Sequence, residues 1–118
     1  LVAVRRNASG AGRGAISALL ASTVGSIVAM AGFGAVPVVL VASPTTHAYD
    51  ASVTVLALYA AFHCAVSALI SGFVAARVAA GFTSPRRTLE PRVAQQWSAY
   101  AAIAGGIVAI ALFFFPLA

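Results

Sequence analysis

Tyr59, His63, Ser67 and Ser71 recur every four residues inside an apolar run. On an α-helix that spacing puts them along one face. A histidine between hydroxyls could carry protons or line a ligand path. Ionisable groups at such depth in a membrane are costly and turn toward protein or water. The alternative is a neutral histidine hydrogen-bonded within a helix bundle. It is favoured, because no carboxylate lies within an apolar run to partner His63; Asp50 and Glu90 both fall in predicted loops. His47 and His63 are sixteen positions apart without further ligand spacing, so a metal site in this chain is not expected. Cys64 stands alone, reads as a small apolar core residue and gives no disulfide framework. No phosphate loop, nucleophile–base pair or haem-attachment motif is found.

The elements that position this row follow from composition. The chain has 118 residues, 62% hydrophobic and 8% charged. Soluble domains carry about a quarter charged residues, so lipid must solvate most of this surface. The length suits one small domain, and no linker divides it. Three continuous apolar runs, about 16–41, 53–80 and 93–115, each exceed the ~20 residues that cross a bilayer. Lipid cannot hydrogen-bond a backbone, so each is predicted as a helix. The runs are continuous rather than alternating, which excludes barrel strands. The first is too long for the ~7–15 residue core of a signal peptide, despite Arg5, Arg6 and Arg13 before it. Ser43-Pro44-Thr45-Thr46 breaks the pattern as a turn, Gly81 is a candidate C-cap, and a polar loop with Pro85 and Pro91 precedes the last run.

The expected fold class is therefore an all-α membrane protein with three transmembrane helices. The formal charge is +5, and all seven basic residues are arginines. They form no basic stripe with interleaved aromatics, which argues against nucleic acid. Arg5, Arg6 and Arg13 precede the first run, and Arg77, Arg86, Arg87 and Arg92 surround the second loop. The positive-inside rule then puts the N-terminus and second loop in the cytoplasm, with the Thr46–Asp50 loop and C-terminus on the outer side. Arg86, Arg87 and Arg92 either contact lipid phosphates or only set topology, two readings of equal weight. Small residues in two rows of the first helix (Ala18, Ser22, Ser26 and Ala21, Gly25, Ala29) and Gly105-Gly106 in the third predict close helix packing.

The stretch from Ser43-Pro44-Thr45-Thr46-His47-Ala48-Tyr49-Asp50-Ala51, through Phe62-His63-Cys64-Ala65-Val66-Ser67 and Ala76-Arg77-Val78-Ala79-Ala80-Gly81, to Gln96-Trp97-Ser98-Ala99-Tyr100 resembles the C-terminal end of subunit III of haem-copper cytochrome c oxidases. It is most similar to bacterial chains in which subunits I and III are fused. His63 and Arg77 match in type and mutual spacing, and Trp97 matches the tryptophan that opens the last helix. Asp50 stands where the fusion-type pattern usually has proline, and Ser98 replaces the histidine after the tryptophan. The similarity covers roughly residues 43–118; the first helix agrees only in position and character.

The resemblance implies a non-catalytic component of a terminal oxidase in an aerobic respiratory chain. It would sit in a bacterial inner membrane and stabilise subunit I. It would bind no cofactor itself, with haem and copper in partner subunits and lipids as further contacts. In the family, subunit III holds lipids in a cleft and supports sustained proton uptake, but that cleft needs helices this chain lacks. The first residues, Leu1-Val2, leave open a segment of a longer chain or an alternative start codon. The competing expectations are a small oligomeric transporter or channel component, motivated by the polar row, and a membrane anchor for an associated enzyme.

Overall fold

The computed structural model describes residues 2–41, 43, 45, 47–82 and 89–114, with side chains from residue 13 onward. Three helices make up the fold: α1 (Val2–Val39), α2 (Ala48–Ala79) and α3 (Leu89–Phe114). All three contain stretches long and apolar enough to cross a membrane; in α1 that stretch is Arg13–Val39. At 1.5 Å per residue the 38 residues of α1 reach about 57 Å, well beyond a ~30 Å hydrocarbon core.

Each helix starts earlier than its apolar run. α2 begins at Ala48 and α3 at Leu89, so Asp50 and Glu90 lie in first helical turns rather than in loops. A carboxylate there faces the positive end of the helix dipole. Pro91 fits because the first turn needs no N–H from it. Pro37 sits inside α1 near its end, and the ladder resumes beyond it, where Leu40 N–H donates to the Val36 carbonyl at 2.9 Å.

Gly81 caps α2 as expected. Its φ of +75° is a left-handed conformation that suits glycine. Its N–H donates to the Val78 carbonyl (3.1 Å), and the N–H of Phe82 donates to that of Arg77 (3.0 Å). This pair of bonds is a Schellman motif and satisfies carbonyls that the helix end leaves open.

The helices run up, down and up. Ser22 faces Ser71 and Ser26 faces Ser67, so α1 and α2 are antiparallel. Arg77 meets Glu90 and Tyr59 meets Tyr100, so α2 and α3 are antiparallel too. α2 packs along both neighbours, while α1 and α3 meet sparsely.

The interior is built from small side chains. Ala57, Ala60, Ala61, Cys64, Val74 and Ala75 of α2 are buried, as are Ala94, Ala101, Gly105 and Val108 of α3. The largest fully buried side chains are Ser67 and Ser71. Large apolar residues such as Leu58, Phe62, Leu69, Phe73, Ile103 and Ile107 face outward. This is the arrangement expected in lipid, where helices gain by close packing rather than by hiding apolar surface.

Candidate functional site

The four-residue row on α2 does not act as one face. A helix turns about 100° per residue, so each step of four advances about 40°. Over three steps the row winds by about 120° and divides. Ser67 and Ser71 turn into the junction of the three helices, and Tyr59 and His63 turn to the α2–α3 edge.

At the junction five serines converge. Ser22 lies 3.3 Å from Ser71 and 3.0 Å from Ser98. Ser26 donates to Ser67 at 3.2 Å, and Ser98 lies 3.2 Å from Ser67 and 3.3 Å from Ser71. Each hydroxyl has one hydrogen to give and can accept two. Five bonds therefore use all five hydrogens, and each serine donates once. Ser26 gives its hydrogen to Ser67, so Ser67 must give its own to Ser98. Ser22, Ser71 and Ser98 then form a closed ring in which each donates to the next. Three other hydroxyls turn back onto their own helix: Thr23 bonds the Leu19 carbonyl, Ser52 that of Ala48 and Thr54 that of Asp50. The five junction serines bond across helices instead.

Ser98 is the hub, with three of the five bonds. Ser22 and Ser26 were legible only as small packing residues, and Ser98 only as a departure from a resemblance. The missing signal was that their hydroxyls share one depth once the helices pair. Of the two rows on α1, Ser22 and Ser26 make the contacts, while Gly25 has open space where a Cβ would stand. The glycine pair also divides. A Cβ on Gly105 would stand 3.4 Å from the Phe33 ring, whereas Gly106 has nothing near. The close approach is thus a side chain on a backbone, at one glycine.

Beside the junction, α1 and α3 border a groove of about 970 Å³, lined mostly by alanine, glycine and serine, with Leu19, Phe33, Cys64, Pro91 and Gln95 among its walls.

The second polar group is aromatic. The His63 ring lies between Tyr59 (4.2 Å between centroids), Phe62 (5.6 Å), Tyr100 (5.5 Å) and Trp97 (6.1 Å, nearly parallel). Its Nδ1 is 2.9 Å from the Tyr59 carbonyl. A carbonyl only accepts, so Nδ1 carries the hydrogen, and Nε2 of the neutral ring is a bare acceptor. The Tyr59 and Tyr100 hydroxyls are 3.0 Å apart. His63 is the sixteenth of thirty-two residues in α2, at mid-helix and deeper than the apolar run alone suggests.

Arg77 Nε lies 3.0 Å from Glu90 Oε2, with each side chain about one-third exposed, and its guanidinium sits 5.7 Å from the Phe73 ring centre. The pair is out of line for a hydrogen bond, so charge attraction and stacking hold it. Arg92 is exposed one turn into α3; Arg86 and Arg87 lie outside the described residues. Among the described residues no three His, Cys, Asp or Glu side chains converge as metal ligands would.

The chain matches no protein-family model, no curated protein and no solved structure.

Proposed function

We propose that this chain is a non-catalytic packing component of a larger membrane assembly. The observation that carries this reading is the serine junction. Membrane-embedded hydroxyls that could serve a transported solute or a reacting group instead use every hydrogen on one another, across all three helices. That arrangement fixes helices and leaves no donor for a substrate. The same winding that divides the α2 row removes the continuous polar face a channel would use.

The resemblance supplies the assembly: a terminal cytochrome c oxidase in a bacterial plasma membrane, with this chain beside catalytic subunit I in the manner of subunit III. Haem and copper belong to partner subunits in this reading. The N-terminus and second loop lie in the cytoplasm, where Arg92, with Arg86 and Arg87, meets lipid phosphates. Affinity purification of the full chain in mild detergent tests the assignment. Haem absorbance and an oxidase subunit I should accompany it. A preparation free of haem and of any oxidase subunit sinks the assignment.

A further inference from the structure

The aromatic group, unlike the serine junction, has polar atoms left over. Two phenol hydroxyls share one bond, so one O–H remains without an acceptor. The Trp97 indole N–H is buried and has no hydrogen-bond partner among the described residues. His63 Nε2 is a bare acceptor that makes no hydrogen bond among the described residues. What remains for an outside partner is therefore a phenol group with one O–H to give and the His63 Nε2 acceptor, while the indole N–H lies below the surface. All four residues lie within five positions of their helix midpoints. That depth differs from the membrane interface, where tyrosine and tryptophan usually sit with their polar tips wet. Tyr59 and Tyr100 are each 45% exposed and Phe62 is 64% exposed, so the group opens outward. None of the four lines the α1–α3 groove.

We infer that this edge of α2 and α3 receives a transmembrane helix of another protein. That helix presents, at mid-depth, one side chain that both accepts and donates, such as a carboxamide or an uncharged carboxyl. Depth selects this occupant. Lipid headgroups lie about 15 Å away, half a hydrocarbon core, and acyl tails offer no polar atoms. A polar group left unmatched in hydrocarbon is costly, and neighbouring helices are what usually satisfy it. A carboxamide or carboxyl oxygen accepts from the exposed phenol, and its N–H or O–H donates to His63 Nε2. Phe62, beside His63, supplies apolar surface for the same helix.

The inference rests on reading the chain as a packing component, and the identity of the assembly does not enter it. The test replaces Phe62 with a photo-crosslinking benzoylphenylalanine in the full chain within its native membrane. Val28, 66% exposed on α1, serves as the second position. The Phe62 probe should capture a transmembrane segment of a different protein bearing Asn, Gln, Asp or Glu near its centre. His63→Phe, and separately Tyr59→Phe with Tyr100→Phe, should lower its yield at least about threefold, while yield at Val28 and chain abundance hold and so report folding. Changing the captured side chain to leucine should do the same. Capture of a second copy, of lipid alone or of a segment without such a side chain overturns the inference, as does a yield these substitutions leave unchanged. Capture as expected in a haem-free preparation would retire the oxidase assignment and leave this docking edge standing; haem with no capture would do the reverse.

Discussion

Ser98→Ala should loosen the whole bundle, because Ser98 holds three of the five hydroxyl bonds at the junction. Hydrogen bonds between helices in a bilayer average about 0.6 kcal/mol, so three set an upper figure of roughly 1.8 kcal/mol. Ser67 can offset part of it by turning its freed hydrogen to the carbonyl four residues back, at His63, while the Ser22–Ser71 and Ser26–Ser67 bonds stand outside the sum. The expected loss is about 1–1.5 kcal/mol, roughly a 5- to 13-fold fall in the folded-to-unfolded ratio. Reversible unfolding in mixed micelles measures it, with Ser52→Ala as reference. Ser52 bonds its own helix at an exposed site, and its loss should stay within about 0.5 kcal/mol. The pair Ser22→Ala with Ser98→Ala should fall short of additivity by about one bond, ~0.6 kcal/mol, because both single substitutions break the same contact. If Ser98→Ala costs no more than Ser52→Ala, the hydroxyls do not hold the junction and the reasoning fails.

Gly105→Leu should displace the Phe33 ring and cost about 1–3 kcal/mol, while Gly106→Ala, facing open space, should be neutral or stabilising by up to about 1 kcal/mol in the same assay. Glu90→Gln should cost at most about 1 kcal/mol, because its ion pair with Arg77 is one-third exposed, and raising the salt should shrink the difference. In a Cys64→Ala background, an impermeant maleimide should label Thr45→Cys in intact cells and Arg13→Cys or Phe82→Cys only after permeabilisation. The opposite pattern would invert the topology read from the arginines.

Three helices long and apolar enough to cross a membrane were plain in the sequence, because continuous apolar runs of that length have few other uses. Their starts were not. The apolar pattern begins at positions 16, 53 and 93, whereas α1, α2 and α3 start at Val2, Ala48 and Leu89. Helix propensity extends a helix into polar sequence that hydropathy cannot register. Gly81 was legible because its role depends on one local conformation. The serine junction was not, because it is made by register between helices rather than within one. Ser98 has no telling neighbour in sequence; its partners are 76, 31 and 27 positions away. The row from Tyr59 to Ser71 was found, yet treated as one face, because a spacing of four hides a drift of about 40° per step.

The ring of Ser22, Ser71 and Ser98 has a consequence beyond holding helices. Its three hydrogens can circulate in either sense, and Ser67 donates into it in both. The oxygens can therefore stay fixed while the three O–H dipoles reverse together. Around so nearly even a triangle the O–H dipoles largely cancel in either sense, so three hydroxyls sit inside the bundle with little net dipole turned toward the surrounding hydrocarbon.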